Sequence, residues 1–575
     1  MAKTTAAGFL VDSLTASGVD HLYGITGDSL NAFADTIRRR EQFRWVHTRH
    51  EEAAAFAAAS EAHLTGRLAV CAGSCGPGNL HLINGLFDAH RSRVPVLAIA
   101  SQIPSSELGT EYFQETHPER IFRDCAAFVE VVSAAENLPR LLDRAVRTAI
   151  GERDVGILVI PGDVAWAPLE APLVAVGPDA VGPPGAPSAS ALERLAGLVN
   201  AARAITIFAG AGAAGAQTEL LAVAQALQAP IVHTLRGKEF VEPENPFDVG
   251  MTGLLGFASG YQALAAADLV LLLGTSFPYR QFYPEKATIV QIDRRADEIG
   301  RRSHVELGIV ADVRATLAAL LPRLTPHADG AHLAKALTTY RSARAALDAR
   351  AADRAGARTI HPQRVAALLD RLAAPDAVFT VDVGTPTVWA ARYLRFNGRR
   401  RLVGSFNHGS MANALPHAIG AQVSHPGRQV VALCGDGGIS MLLGELITLR
   451  TEGLPVKAVV FNNSSLGFVE LEMVADGILP AATDLGPTNF AEIAKGAGLR
   501  GIRVEQPAEL EPALASALAD PRPVLVDVVV QRLEVVRPPK LTWTEVSGFS
   551  LFLARAILGG EEGEVEELAH GSLLR

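Results

Sequence analysis

The chain has 575 residues, of which 49% are apolar and 20% charged, and its net charge is −9. That length exceeds a single hydrophobic core and points to about three domains, with two or four as the alternatives. The acid excess argues against nucleic acid as a partner, because phosphate binding needs a basic face.

The opening stretch, MAKTTAAGFLVDSLTASGVD, reads as a short amphipathic helix and not as a cleaved leader. No run of about 18 apolar residues follows, so no membrane span is expected. Cys71, Cys75, Cys125 and Cys434 are too sparse for a disulfide framework, and a reducing cytoplasm is expected. CAGSC (71–75) has neither the spacing nor the second pair of a metal site, so buried free thiols are the simpler reading.

Short apolar runs then alternate with amphipathic segments: LAVCAG, VPVLAIAS, VGILVIPGD, AITIFAG, LVLLLGT, ATIVQID, AVFTVDVG, QVVALCGD, VKAVVFNN and PVLVDVVV. Continuous apolar strands between helices indicate α/β units with doubly wound parallel sheets covered on both faces. A Pro-, Gly- and Ala-rich stretch at 171–190 reads as a linker, and a long polar helix around 335–359 precedes a new unit. The expected division is 1–182, 183–334 and 335–533, followed by a tail at 534–575. The first and third units are similar in size and style, which leaves a related fold open.

In the middle unit, Gly210-x-Gly212-x-x-Gly215 follows the strand AITIF but lacks the acid expected at the end of the next strand. GMTGLLG (250–256), LGTSFPYR (273–280) and Asp293 are better cofactor candidates, since an acid at a strand end can accept both hydroxyls of a ribose. In the third unit an apolar run ends at Gly435-Asp436-Gly437 and becomes a helix. Ligands bind beyond the carboxyl ends of parallel strands, and a helix N-terminus favours phosphate. For this tripeptide alone a capping aspartate is the simpler reading. One β–α–β step later another strand ends in Asn462-Asn463. Asp436 and Asn463 can then share Mg²⁺, which prefers hard oxygen ligands, and hold a diphosphate through it.

These two elements at that interval resemble the signature of thiamine diphosphate-dependent enzymes. The upstream HTRHEEAAAFAAASEA (47–62) resembles the same family's glutamate helix, starting at Glu51; its His47 and His50 do not have zinc-motif spacing. SCGPGNLHLINGLFDAH, YFQETHPE, PIVHTLRGKE, GTPTVWAARYL and GSFNHGSMANALP extend the likeness nearly end to end, to the bacterial quinone-linked pyruvate dehydrogenases, or pyruvate oxidases. The resemblance implies pyrimidine-binding, FAD-binding and diphosphate-binding domains, with thiamine diphosphate, Mg²⁺ and FAD as cofactors. It implies that Glu51 activates the aminopyrimidine and that Gly409, Ser410 and Met411 bend the cofactor and cap its pyrimidine. Asp436, Asn463 and the Ser465 carbonyl would hold Mg²⁺. Gly437, Gly438 and the run Asn463, Ser464, Ser465, Leu466, Gly467, Phe468 and Val469 would line the diphosphate. Ser465 departs from the family pattern, which has an apolar residue there. FAD maps to Thr252, Gly253, Leu254 and Leu255, to Thr275, Ser276, Phe277, Pro278 and Tyr279, and to Asp293. Gln114, Val383, Phe468 and Glu472 are candidate contacts to the reacting group, with ordinary packing as the alternative.

The implied reaction is oxidative decarboxylation of pyruvate to acetate and CO₂, with electrons passed through FAD to ubiquinone. Glu51 and Asp436 would come from different subunits, so a dimer is the minimal active unit and a homotetramer is expected. In the tail, Phe549, Phe552, Leu553 and Ile557 fall on one helical face, widened by Leu551 and Leu558. Its acidic end favours docking on its own domain, since interfacial helices are usually basic. The resemblance implies instead release and insertion into lipid, and so a cytoplasmic protein peripheral to the inner membrane. The alternatives are a carboligase resembling acetolactate synthase, an oxygen- and phosphate-dependent oxidase, and a non-catalytic nucleotide-binding scaffold.

Overall fold

A computed structural model gives the arrangement of residues 4–177, 185–352 and 358–534. Within it the apolar runs become strands of three six-stranded parallel sheets, one in each unit. Strands such as Val96–Gln102, Val155–Pro161 and Leu269–Leu273 are buried along their whole length. That is the pattern of a parallel strand covered by helices on both faces.

The first sheet runs, in spatial order, Arg44–His47, His21–Gly24, Ala69–Gly73, Val96–Gln102, Val155–Pro161 and Phe128–Val131. The third runs Arg401–Gly404, Val378–Val381, Val430–Gly435, Lys457–Asn462, Val524–Val529 and Arg500–Val504. Counted from the first strand of each unit the two orders are the same, so these units share one topology. The middle sheet runs Asp248–Met251, Ile231–His233, Ile205–Ala209, Leu269–Leu273, Thr288–Asp293 and Leu307–Val310. This is the doubly wound order of dinucleotide-binding folds.

The first and third units share a continuous core, in which Tyr23, Ala57, Leu86, Ala418 and Val430 belong to one cluster. Its centre is the alanine-rich helix Glu51–Thr65, buried on nearly every side. Two glycine-bearing helices flank it. A Cβ on Gly85, in Pro77–Ser92, would lie 2.6 Å from the Ala55 Cβ, and one on Gly420, in Ala414–Ser424, would lie 2.0 Å from the Ala57 carbonyl oxygen. Alanine on one side and glycine on the other are what let these backbones approach so closely.

The middle unit has its own core around Ile207, Leu271 and Val290. The long polar helix spans Ala331–Ala351 and starts earlier than the sequence pattern indicates. Its first half packs on the middle unit through Leu333 and Ala336, and its second half packs on the third unit through Leu347 and Ala351. Among the described residues no helix is long and apolar enough to cross a membrane. The amphipathic face of the tail lies outside the described residues.

Gly420→Ala drives its new methyl group into the Ala57 carbonyl and should cost about 1–3 kcal/mol of stability as overpacking. Gly197→Ala, on an exposed position of the helix Ala189–Ala201 with nothing within 4 Å, should instead gain about 0.5–1 kcal/mol. Thermal and urea unfolding of the two variants measure the opposite signs.

Candidate active site

The strand Val430–Gly435 delivers Asp436 to the first turn of the helix Asp436–Met441. Burial pushes its carboxyl up to about 6, opposed by the N–H dipoles of Gly437, Ser464, Asn463 and Ser465. Oδ1 accepts the Gly437 N–H at 2.8 Å, whereas Oδ2 is buried and accepts no hydrogen bond from the described residues. Asn463 follows the neighbouring strand Lys457–Asn462. Its amide donates to the Arg532 carbonyl at 3.0 Å, which fixes which end of the side chain is the oxygen. A carboxylate oxygen without a protein donor, an amide oxygen and nearby carbonyls make a donor set suited to a hard divalent cation, so these residues fit Mg²⁺.

Ser465 is buried, and its hydroxyl pairs with Glu470, which lies 3.5 Å from Arg532. The polar departure from the family pattern is therefore accommodated by a local acid–base chain, and Glu470 is a partner that sequence reasoning missed. Gly437 faces Leu466 and Met411, because a Cβ on it would meet the Leu466 Cδ2 at 2.7 Å and the Met411 Cε at 3.2 Å. This brings the Gly409–Ser410–Met411 segment to the Asp436 loop. The segment turns sharply, with Gly409 and Ala412 at φ 86° and 64°. It is tied by Asn413 Nδ2 to the Ser410 carbonyl at 2.7 Å and by Asn84 Nδ2 to Ser410 Oγ at 2.9 Å.

A cavity of about 420 Å³ lies between the middle and third units. Thr252–Leu255 and Thr275–Tyr279 form one wall, while Val383, Phe468, Glu472 and Gly409 line the other. Burial and the Glu472 charge raise the Tyr279 hydroxyl, and burial followed by Asp476 raises the Glu472 carboxyl. Thr252 Oγ1 is buried and has no hydrogen-bond partner among the described residues. The apolar walls and few polar groups suit a flat heteroaromatic ligand. Asp293 closes the strand beside Leu269–Leu273 but does not line this cavity. Burial raises its carboxyl, which accepts the Arg295 N–H at 3.0 Å. Gly210 and Gly212 pack directly against Gly274 and Thr275, so these two glycines serve the close approach of two turns.

Glu51 is buried at the first position of its helix, and its Oε2 is 2.9 Å from His81 Nδ1. His81 stacks on His50 with ring centres 4.4 Å apart. His81 leaves no periodic signal in the sequence, because it reaches Glu51 only where two helices cross. A Cβ on Gly78 would fall 3.0 Å from Glu51 Oε1. Gln114, at φ 65°, sits over Gly76 and takes the Cys75 thiol as a donor at 3.3 Å. Within this chain it packs on the turn before the helix Pro77–Ser92 that carries His81, and it does not line the cavity with Val383, Phe468 and Glu472. From behind, Glu445 of the third unit accepts the Arg49 N–H at 2.9 Å and Glu452 accepts the His47 N–H at 3.1 Å. Burial pushes the Glu445 carboxyl up to about 7. Among the described residues no hydrogen bond or ion pair links Glu51 to Asp436.

Residues 4–121 match the thiamine pyrophosphate enzyme N-terminal TPP binding domain, 192–320 the central domain and 382–528 the C-terminal TPP binding domain. A protein of Bacillus subtilis described as thiamine pyrophosphate-containing is 38% identical over 99% of both chains. The pyruvate oxidase of Lactiplantibacillus plantarum is 32% identical over 91% of this chain and 88% of its own. The acetolactate synthase large subunit of Parasynechococcus marenigrum is 33% identical over 93% and 89%. With all three domains present in order and relatives above 30% identity along more than nine-tenths of its length, the chain belongs to the thiamine pyrophosphate-dependent enzyme family.

Proposed function

We propose that this enzyme is a pyruvate:quinone oxidoreductase that uses thiamine diphosphate, Mg²⁺ and FAD. The overall reaction is pyruvate plus water plus ubiquinone giving acetate, CO₂ and ubiquinol. The observation that carries this reading is the cavity joining Thr252–Leu255 and Thr275–Tyr279 to Val383, Phe468 and Glu472. It would put a flavin beside the loops assigned to the other cofactor. Bound thiamine diphosphate supplies the electron sink that decarboxylation of a 2-oxo acid needs, and bound FAD the two-electron acceptor.

The side chains of Asp436 and Asn463 and the Ser465 carbonyl hold the cation. Met411 backs the Asp436 loop. Glu51 holds and exchanges a proton at the aminopyrimidine, with His81 fixing one of its oxygens. Val383 and Phe468 exclude water from the reacting carbon, and Glu472 offers the one carboxyl on that wall.

The two half-sites meet in a dimer, within a homotetramer. Exposed apolar groups flank both halves: Leu80, Tyr112 and Phe113 beside Glu51 and Gln114, and Met441, Val469 and Leu485 beside Asp436. Such patches mark surfaces that another chain covers. The amphipathic tail supports a peripheral site on the cytoplasmic face of the inner membrane, where the flavin meets quinone. The near-equal identity to acetolactate synthase favours one second reading, a carboligase that joins two pyruvates.

Anaerobic pyruvate should bleach the yellow flavin and release one acetate and one CO₂ per flavin reduced, whereas acetolactate without bleaching would identify the carboligase. Glu51→Gln should lose roughly 10²–10⁴-fold in turnover with an artificial dye acceptor, as expected for a lost proton-transfer group, while its flavin content stays at the wild-type level. A chain ending at Val546 should keep dye reduction but lose stimulation by phospholipid vesicles; vesicle binding equal to that of the full chain would refute the role of the tail.

A further inference from the structure

We propose that Asp382 is a positioning residue that sets the spacing between the two loops gripping opposite ends of thiamine diphosphate; this rests on the assignment of those loops made above. Asp382 follows the strand Val378–Val381 and is almost wholly buried. Its two carboxylate oxygens face in different directions. Oδ1 accepts the Ala414 N–H at 2.9 Å, at the end of the turn that carries Gly409, Ser410 and Met411. Oδ2 accepts the Gly435 N–H at 3.2 Å, directly before Asp436. Gly438, on the far side of the same loop, lies against that oxygen, since a Cβ there would come within 2.2 Å of it. The backbone around Asp382 is itself pinned, because Thr387 Oγ1 donates to the Asp382 carbonyl at 2.6 Å.

Three features distinguish this arrangement from an ordinary buried acid. One oxygen takes the N–H of the first residue of the helix Ala414–Ser424 and the other that of the last residue of the strand Val430–Gly435, the points where the two loops join regular structure. The two loops are the pyrimidine-capping and diphosphate-holding segments. No Arg or Lys side chain is hydrogen-bonded or ion-paired with the carboxylate among the described residues, so its hydrogen bonds come from main-chain donors that cannot swing away. A rigid acceptor pair between two loops works as a strut. It fixes how far apart they stand and leaves the internal shape of each to other bonds: Gly437 N–H to Asp436 within one loop, and Asn413 to Ser410 within the other.

This division gives the strut a signature. A ligand that spans both loops depends on their spacing, whereas one held by a single loop does not. In Asp382→Asn the amide oxygen can serve the Ala414 side, but the amide nitrogen then faces the Gly435 N–H, donor against donor. The apoproteins of wild type, Asp382→Asn and Asp382→Ala are titrated calorimetrically with thiamine diphosphate plus Mg²⁺, and separately with inorganic pyrophosphate plus Mg²⁺. Folding is checked by circular dichroism and gel filtration. Thiamine diphosphate should bind about 10–100-fold more weakly to the variants, the effect of losing one hydrogen bond to a charged group. Pyrophosphate affinity should change by less than about threefold.

Equal weakening of both ligands would show general damage to the Asp436 loop and overturn the proposal. So would unchanged thiamine diphosphate affinity, or failure of both variants to fold. Wild-type protein that takes up no thiamine diphosphate would overturn the underlying assignment of the loops and the proposal with it.

Discussion

The helix Glu51–Thr65 touches its neighbours backbone to backbone, and much of the molecule follows from that contact. Two glycines, Gly85 and Gly420, leave no room for even one added methyl group between three helices. Close packing of this kind locks rotation and translation together, since any sliding would drive atoms into overlap. The helix therefore joins the first unit to the third as a single core. It also fixes Glu51, its first residue, at a defined place on the surface of that core. The crossing of the helix with Pro77–Ser92 brings His81 onto Glu51, and its contact with Ala414–Ser424 places it just behind the turn that carries Met411.

A second theme is how the buried acids are held. Asp382 and Asp436 take their hydrogen bonds from main-chain N–H groups, Glu445 takes the Arg49 N–H and the Thr448 hydroxyl, and none of the three has a salt bridge among the described residues. Burial raises each of these carboxyls. Main-chain donors are set by the fold and need no reorganisation when a ligand arrives, which is the property a preorganised site requires. Glu445 adds a mechanical link, because it holds the segment before Glu51 from the unit that carries Asp436 in the same chain. The Glu51 and Asp436 groups are thus tied to each other within one chain.

Much of this was legible in the sequence, and the boundary of legibility has a physical cause. The continuous apolar runs are all interior strands, where both faces are buried and most positions are apolar. Edge strands such as RWVH, FVEV and RGIRV carry polar residues because one side meets solvent, so they do not stand out as apolar runs. Asp436 was readable because an acid at the end of an apolar run contradicts its surroundings. Asp382 ends a similar run but has no second residue at a telling interval. His81 and Glu470 act through contacts made by helix crossing and loop closure, which leave no periodic trace. The start of the helix Ala331–Ala351 was misplaced because its polar face continues the composition of the loop before it.

The cavity between the middle and third units is walled by residues at strand ends, in short turns and on the helix Gly467–Ala475, none of them in the three helices that touch at the seam. Val383 and Phe468 can consequently be exchanged for smaller or larger side chains without disturbing the glycine contacts that hold the domains together. For enzyme engineering this separates two tasks that are often entangled. Libraries that reshape this cavity can be built on one face of the fold, while thermal robustness is selected independently on the other.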